Sequence, residues 1–326
     1  MTKTALIIGI GGQDGSYLAE YLLDLNYNVF GIVRRHSVCE NQSTRIQHLL
    51  DKNKIVCHYG DINDSSSINE IFKKVNPDEI YNLAAQSHVQ VSFQMPQFTC
   101  QTNAIGALNV LEACRINCPN AKLYHASTSE MFGNNIDDDG FQRETTSFRP
   151  VSPYACSKVF AHNLMINYRN SYNMKTYNGI LFNHESPRRG INFVTNKVAK
   201  TAVEIKYGLK DKLYLGCLDS SRDWGHAKDY VKAMHLIMNG PKPDDYVIST
   251  GKTHTVRELC EVVFSHLNLD YKKYVHHSEK YMRPEELEFL KGDASKAKNI
   301  LNWNPTYTFK DIIIEMVEYW LEKLKN

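Results

Sequence analysis

The chain has 326 residues, of which 42% are hydrophobic and 23% are charged, and its formal net charge is +2. This composition is ordinary for a soluble globular protein, and the length suits one large α/β domain or two smaller ones. The small net charge gives no reason to expect nucleic acid or a membrane as a partner, and no apolar run approaches membrane-spanning length.

The predicted elements begin with an apolar run at residues 5–8, which leads into a cluster of glycines and then an amphipathic segment at residues 16–25. This order predicts a buried strand, a tight turn and a helix N-terminus. Glycines in such a turn allow positive φ and let a pyrophosphate reach the N–H groups of the helix. The turn reads Gly9-x-x-Gly12-Gln13-Asp14-Gly15, a spacing that resembles the dinucleotide-binding turn of short-chain dehydrogenases/reductases.

Strand-like and helix-like segments alternate through the first half of the chain. Predicted strands cover residues 28–33, 54–59, 79–84, 122–127 and 175–182, and predicted helices cover residues 65–75, 99–117 and 152–172. Repeated βα units of this length predict an α/β fold with a doubly wound parallel sheet of the Rossmann type. Ligands of such sheets bind at the C-terminal ends of the strands.

The alternation loosens in the second half of the chain. Residues 179–190 are rich in Asn, His, Pro and Arg, which is typical of a functional loop rather than a core segment. Residues 211–225 predict a short strand and a charged turn, followed by a helix over 226–239, a strand over 246–250 and an amphipathic helix over 309–324. We expect two interleaved units: a dinucleotide-binding domain of residues 1–182 and 226–251, and a substrate-binding domain of residues 183–225 and 252–326.

The eight cysteines, at positions 39, 57, 100, 114, 118, 156, 217 and 260, form no Cys-x-x-Cys pair. Their scatter predicts reduced thiols in the cytoplasm rather than a disulfide framework or a metal site. Because the first predicted strand begins at Thr4, no N-terminal signal peptide is expected.

The second predicted strand ends in Arg34 and Arg35, where NAD-binding sheets place a carboxylate for the ribose 2′-hydroxyl. Two guanidinium groups suit a 2′-phosphate by charge and by bidentate geometry, so NADP is the predicted cofactor. The alternative is a solvated pair of surface arginines. Asp61, followed by Ile62, is expected at the adenine edge. The segment expected along the nicotinamide half consists of Leu83, Ala84, Ala85, Gln86 and Ser87.

Tyr154 and Lys158 lie four residues apart on a predicted helix and therefore share one of its faces. An ammonium beside a phenol stabilises the phenolate, so we expect a lowered pKa that makes Tyr154 a general base. The pair follows the fifth predicted strand, where the Thr128 hydroxyl would position a substrate oxygen. Glu130 adds a base for a carbon acid, such as the proton next to a ketone; the alternative is a solvated turn carboxylate or a helix cap.

Several longer motifs closely resemble the GDP-mannose 4,6-dehydratase family of extended short-chain dehydrogenases/reductases. They occupy residues 9–18, 85–89, 127–133, 152–158, 179–190 and 222–230, and the match extends over nearly the whole chain. The resemblance implies an NADP-dependent hydro-lyase that acts on GDP-mannose. In this chemistry Tyr154 takes the C4 hydroxyl proton, Glu130 removes the C5 proton, water leaves from C6 and the hydride returns to C6. The product, GDP-4-dehydro-6-deoxy-D-mannose, leads to deoxysugars of the GDP-fucose or GDP-rhamnose type.

The resemblance also implies binding residues and an assembly. Lys158, His184 and Arg189 correspond to cofactor contacts, and Phe98 stands where a cofactor-contacting Tyr is common. The residues that correspond to sugar-nucleotide contacts are Ser87, Asn183, Arg222, Arg283 and Glu286. Family members form homodimers or homotetramers, in which the loop of residues 36–44 would reach a neighbouring subunit. The segment of residues 269–283 is shorter than is usual in the family.

Other activities on the same fold remain open at the level of sequence. A nucleotide-sugar 4-epimerase or reductase would keep Thr128, Tyr154 and Lys158 but has no need of Glu130. A dTDP-glucose 4,6-dehydratase usually carries Asp at the position of Ser129. A cofactor-sensing regulator without activity commonly lacks the Tyr–Lys pair that this chain has.

Overall fold

The fold is that of a computed structural model, which describes residues 2–35, 44–282, 284–285 and 287–325. Within these residues, seven parallel strands form a central sheet: β1 (Thr4–Ile8), β2 (Asn28–Val33), β3 (Ile55–Tyr59), β4 (Glu79–Asn82), β5 (Lys122–Thr128), β6 (Lys175–Leu181) and β11 (Asp245–Ile248). Their order across the sheet is β3-β2-β1-β4-β5-β6-β11. The predicted doubly wound parallel sheet of the Rossmann type is confirmed.

Helices cover both faces of this sheet, which explains why the run Ala5–Ile8 of β1 is apolar without alternation. In β1, Ala5 and Ile7 contact one helical layer, Leu6 and Ile8 contact the other, and all four are at most 1% exposed. The first layer contains α1 (Gln13–Asp24), α2 (Gln47–Leu50), α9 (Ala227–Met238) and α12 (Ser295–Leu301). The second layer contains α3 (Ser65–Val75), α6 (Gly106–Asn117) and α7 (Pro153–Tyr172). The short helices α4 (Val89–Gln94) and α5 (Pro96–Cys100) precede α6.

The later segments form a smaller region with an apolar core of its own. Its strands pair in small sheets: β7 (Asn183–Glu185) with β10 (Trp224–His226), β8 (Leu213–Leu215) with β13 (Val275–His277), and β9 (Ser221–Arg222) with both β12 (His254–Thr255) and β14 (Phe289–Leu290). Its helices are α8 (Val194–Lys206), α10 (Val256–His266), α11 (Tyr271–Tyr274) and α13 (Phe309–Lys323). Val198, Phe264, Ile313 and Trp320 are buried together in its core.

The first helix begins three residues earlier than the predicted residue 16. Gly12 is the N-cap of α1, so Gly15 lies in its first turn. A Cβ at Gly15 would come within 2.4 Å of the Gly9 carbonyl oxygen, so only glycine lets the helix start this close to the preceding turn. Gly9 itself has φ +86°, a conformation that favours glycine.

The predicted single helix over residues 99–117 is in fact interrupted. Between α5 and α6 the residues Gln101–Ile105 form a π-helical turn. This turn directs Asn103 toward Gln86: Asn103 Oδ1 accepts a hydrogen bond from Gln86 N (2.8 Å) and Nδ2 donates one to Gln86 O (3.0 Å). The wider turn therefore clamps the segment that follows β4.

The interpretation of residues 179–190 as a loop is wrong for their first half. Residues up to Leu181 continue β6 and pair with β5, and Asn183–Glu185 form β7. Helices α8 and α10 were not predicted, because the second half of the chain lacks the regular βα alternation of the first half. No helix in the described part of the chain is long and apolar enough to cross a lipid bilayer.

Asp229, in the first turn of α9, connects the C-terminal segment to the layer that covers the sheet. Its buried carboxylate accepts hydrogen bonds from Thr306 N (2.7 Å), Thr306 Oγ1 (2.6 Å) and Tyr307 N (3.2 Å). Asp229→Ala leaves these donors without their acceptor, and we expect it to lower the free energy of unfolding by about 2–4 kcal/mol. Urea denaturation at fixed protein concentration measures the loss. Asp211→Ala, at an exposed position, is the matched control; equal midpoints for the two variants would contradict this prediction.

Candidate active site

A cavity of about 1280 Å³ lies between the C-terminal ends of the sheet strands and the smaller region. Its walls include the turn after β1, the ends of β4 and β5, the start of α7 and residues of β7, α8 and β9. The pocket for one small ligand usually measures about 300–1,000 Å³, so this cavity has room for two ligands side by side.

Nearly all of the predicted site residues that the structure describes line this cavity. Arg35 does not: its guanidinium carbon lies 5.9 Å from the ring centre of Tyr59. Arg34 is exposed and lines the cavity. Arg283 and Glu286 lie outside the described residues, as do residues 36–43 of the predicted subunit-contact loop.

The glycine turn presents the N-terminus of α1 to the cavity. Gly12 N donates to Gly9 O (3.0 Å), which closes the turn. Gly12 has no side chain with which to cap the helix. Backbone N–H groups at an uncapped helix start, together with the helix dipole, form a standard binding site for phosphate.

An ion pair between side chains that are 10% and 20% exposed connects the first turn of α1 to β7. His184 Nε2 lies 2.8 Å from Asp14 Oδ2, and His184 Nδ1 lies 2.8 Å from the carbonyl oxygen of Phe182. Both ring nitrogens therefore face acceptors, which fits an imidazolium. Burial alone would raise the pKa of Asp14 and lower that of His184, but the opposite charge and the hydrogen bond between them outweigh it. The pKa of Asp14 is consequently lowered and the pKa of His184 is raised.

Four side chains with the predicted catalytic chemistry meet at the end of β5. Thr128 is the last residue of that strand, and a short 3-10 turn over Ser129–Phe132 follows it and carries Glu130. Thr128 Oγ1 accepts a hydrogen bond from Glu130 N (3.3 Å), and the Thr128 hydroxyl also bonds to the phenol of Tyr154. Tyr154 and Lys158 come from the first turns of α7. All four residues are at most 8% exposed.

Burial dominates the titration of Tyr154 and Lys158. It raises the pKa of the Tyr154 phenol to about 12, although the Thr128 hydroxyl lowers it; the Glu130 carboxylate raises it further and Arg189 lowers it. Burial also lowers the pKa of the Lys158 ammonium to about 7. The expected lowering of the Tyr154 pKa is therefore wrong for these residues by themselves, because desolvation of the phenolate outweighs the nearby cations.

The predicted arginines of the smaller region also hold its structure together. Arg222 Nη1 donates to Ser221 O (2.9 Å) and Leu287 O (2.8 Å). Arg189 Nε lies 3.2 Å from Glu185 Oε2, and the Arg189 guanidinium lies 3.6 Å from the ring centre of Phe193. Both arginines are thus fixed in place at the cavity wall.

The cavity is also lined by cations that were not predicted as site residues. Arg45 Nε donates to Arg188 O (2.8 Å) and Arg45 Nη1 to Gly11 O (3.3 Å), beside the glycine turn. Lys197 and Lys200 of α8 lie on another wall. The three-residue spacing of Lys197 and Lys200 could have predicted that they share one helix face. No pattern in the local sequence indicates that Arg45 lines the cavity. Among the described residues no group of three or more His, Cys, Asp or Glu side chains is arranged to hold a metal ion.

The chain matches one family model and several curated proteins over nearly its whole length. The family model described as GDP-mannose 4,6 dehydratase matches residues 6–316. GDP-mannose 4,6 dehydratase 1 of Arabidopsis thaliana is 48% identical over 99% of this chain and 91% of its own length. The GDP-mannose 4,6 dehydratase of Homo sapiens is 44% identical over 99% of this chain and 93% of its own length.

Solved structures show the same fold. A dTDP-glucose 4,6-dehydratase from Streptomyces venezuelae, solved with NAD bound, has a TM-score of 0.87 at 23% identity and covers 99% of this chain and 98% of its own. The UDP-glucose 4-epimerase of Thermus thermophilus, in complex with NAD, has a TM-score of 0.84 at 26% identity and covers 97% and 98%. The match at 44–49% identity over nearly the whole chain is to GDP-mannose 4,6-dehydratases, and this chain belongs to the GDP-mannose 4,6-dehydratase family.

Proposed function

We propose that the chain converts GDP-α-D-mannose into GDP-4-dehydro-6-deoxy-α-D-mannose and water, with NADP as its cofactor. The observation that carries this proposal is the buried carboxylate of Glu130 beside Thr128 and Tyr154. The site thus holds two bases of different kinds, one for a hydroxyl and one for a carbon acid. A 4-epimerase or reductase needs only the first, and curated relatives at 44–49% identity are dehydratases, so the alternative is not favoured.

The residues of the cavity fit a phosphorylated dinucleotide. The start of α1 suits its pyrophosphate, Asp61 and Ile62 suit its adenosine, and the exposed guanidinium of Arg34 suits a 2′-phosphate. When bound, NADP supplies the hydride chemistry, accepting a hydride from C4 of the sugar and giving it back to C6. Lys158 and Arg189 line the same cavity beside Tyr154.

Tyr154 would receive the proton of the C4 hydroxyl as C4 is oxidised to a ketone. A pKa of about 12 means that at pH 7 the phenol exceeds the phenolate by about 10⁵-fold. Only the phenolate can accept that proton, so the step depends on the groups that stabilise the phenolate before the transfer. Thr128 contributes a hydrogen bond, and the charges of Arg189 and Lys158 are the cationic contributions that the site offers.

Glu130 would carry out the elimination. A ketone at C4 makes the C5 proton acidic, and the Glu130 carboxylate takes that proton while the C6 hydroxyl leaves as water. The proton that the departing hydroxyl needs comes from Glu130 itself or from a neighbouring hydroxyl, and C5 would take up a proton again when the hydride is returned to C6. Thr128, Glu130, Tyr154 and Lys158 are at most 8% exposed, which would limit the access of bulk water to the reacting atoms.

We further infer the organisation and setting of the enzyme. A sheet domain of residues 1–182 and 226–251 would hold the cofactor, and residues 183–225 and 252–326 the sugar nucleotide, with α12 packed on the sheet side. We infer a cytoplasmic enzyme that self-associates as a homodimer or homotetramer. The seven described cysteines are free, which supports a reducing compartment.

Substitution of the two bases should stop the reaction at different steps. Tyr154→Phe removes the base for C4 oxidation, so bound cofactor should stay oxidised when GDP-mannose is added. Glu130→Gln keeps the shape of the side chain but not its basicity, so oxidation at C4 proceeds and elimination is slowed about 10²–10⁴-fold. Reduced cofactor should then accumulate, measured by its near-ultraviolet absorbance in a single turnover.

Exchange of the C5 hydrogen with solvent deuterium gives an independent readout of the Glu130 step, and mass spectrometry of the recovered sugar nucleotide detects it. Glu288→Gln, at an exposed position in the smaller region, is the matched control for the amide substitution. If Glu130→Gln turns over at the parent rate, the chain is better described as an epimerase or reductase.

Cofactor preference should depend on Arg34. Arg34→Ala removes a charge-assisted contact to the 2′-phosphate, and we expect NADP affinity to fall roughly 10- to 100-fold while NAD affinity stays nearly constant. Isothermal titration with each dinucleotide measures both values. Lys52→Ala, another exposed cation, controls for the general loss of positive charge. A parallel loss of NAD and NADP affinity in Arg34→Ala would argue against a 2′-phosphate site there.

A further inference from the structure

Behind the cavity wall, Lys158 contacts a buried side chain that does not itself line the cavity. Lys158 Nζ lies 3.3 Å from Nε2 of His125 on β5. The other ring nitrogen, His125 Nδ1, lies 3.3 Å from Nδ2 of Asn82, which is directly opposite His125 in the pairing of β4 with β5. All three side chains are at most 3% exposed. They form a short polar chain from the core of the sheet to the catalytic helix α7.

A buried ammonium needs an acceptor, because its N–H groups can only donate. In the part of the chain that the structure describes, His125 Nε2 is the hydrogen-bond partner of Lys158 Nζ. Since burial brings the pKa of Lys158 to about 7, its charged and neutral forms are nearly balanced around neutral pH. A single hydrogen bond that favours one form therefore decides which of them predominates.

His125 itself is held neutral. Burial lowers its pKa well below the usual value, and the charge of Lys158 and the nearby His162 act in the same direction. The groups that face it are Asn82 from β4, and Lys158 and His162 from α7; His162 in turn lies 2.9 Å, by Nδ1, from the hydroxyl of Ser127. A neutral imidazole has one nitrogen that donates and one that accepts.

The two tautomers of His125 have opposite effects on Lys158. With the proton on Nδ1, the lone pair of Nε2 accepts from the ammonium. With the proton on Nε2, the ring donates to a neutral amine instead. Asn82 fits the first tautomer after a half-turn of its amide, which brings Oδ1 to Nδ1–H; in the described structure Oδ1 is buried with no hydrogen-bond partner.

We propose that His125 is a positioning residue whose Nε2 accepts a hydrogen bond from Lys158 and keeps that side chain an ammonium on the face of α7 that carries Tyr154. Asn82 fixes the tautomer through Oδ1. The acceptor role is a property of the folded chain; its importance for the reaction rests on the function proposed for Lys158.

Two substitutions of similar polarity separate this role from a general packing role. In His125→Gln, the terminal amide oxygen reaches the position of Nε2 and can accept from Lys158. In His125→Asn, the amide reaches only the position of Nδ1, so the contact with Asn82 is kept and the one with Lys158 is lost. The titration of Lys158 is followed by NMR in cofactor-free protein labelled with [ε-¹³C]lysine, its resonance being identified by its loss in Lys158→Arg.

We expect the pKa of Lys158 to fall by about one unit or more in His125→Asn, because a hydrogen bond to a charged group is lost. In His125→Gln it should stay close to the parent value. An unchanged titration in the Asn variant would overturn the proposal, as would a Gln variant that titrates like the Asn variant or does not fold. If only the Asn variant fails to fold, the proposal is tested instead by the tautomer of His125 in the unsubstituted protein. ¹⁵N-histidine shifts should show Nδ1–H with an unprotonated Nε2, and Nε2–H would overturn the proposal.

The pH dependence of single-turnover cofactor reduction links this result to catalysis. In His125→Asn the ammonium is lost at a lower pH, so the basic limb of the profile should shift to lower pH by about as much as the pKa of Lys158 falls. In His125→Gln the basic limb should stay at the parent position. If the NMR titration shifts and the kinetic profile does not, the inference about His125 stands and the function proposed for Lys158 is wrong. The experiments can therefore contradict the role of His125 and the function proposed for Lys158 independently of each other.

Discussion

The ion pair of Asp14 and His184 is the contact on which the shape of the cavity depends. One partner belongs to the glycine turn of the central sheet and the other to β7 of the smaller region, and Gln13 Nε2 reinforces the link by donating to His184 O (3.1 Å). The pair stabilises the fold only within a pH range, whose two ends follow from the directions of the two pKa shifts. The raised pKa of His184 means that stabilisation is lost as the pH rises through that value, and the lowered pKa of Asp14 means that it is lost as the pH falls through that value. Between the two, the first turn of α1 and strand β7 are held together by full charges.

Burial also sets the titration of Tyr154 and Lys158, two of the proposed catalytic side chains near the end of β5. Tyr154 and Lys158 are shifted in opposite directions, toward about 12 and about 7, so each is driven toward its neutral form. Closely spaced titratable groups with displaced pKa values are characteristic of active sites. The polar chain through His125 belongs to this arrangement, since it provides the acceptor that bulk water would provide at the surface.

Features that depend on local sequence could be predicted, and features that depend on distant partners could not. The unbroken apolar run of β1 implied burial on both faces, and the four-residue spacing of Tyr154 and Lys158 implied a shared helix face. By contrast, the π-helical turn exists because Asn103 contacts Gln86, 17 positions away. The polar composition of residues 183–185 suggested a loop, yet these residues form a short strand beside the cavity. The pKa of Tyr154 was misjudged because the lysine is visible in the sequence, whereas the desolvation that outweighs it is not.

The interleaving of the two regions has a consequence for the order in which the fold can be completed. β6 ends at Leu181, and its neighbour β11 begins at Asp245, after the chain has passed through the smaller region and α9. During synthesis from the N-terminus, the outer edge of β6 therefore waits for more than 60 further residues with its backbone N–H and C=O groups unpaired. Such an edge is a template for intermolecular strand pairing, and contacts of long sequence separation form slowly. Once β11 has been synthesised, it pairs with the edge of β6 through backbone hydrogen bonds. The Asp245 carboxylate then also accepts hydrogen bonds from Arg169 (2.6 Å) and Asn178 (2.9 Å). For a nascent chain, the interval between these two strands is the period in which this sheet edge is open to pairing with another chain.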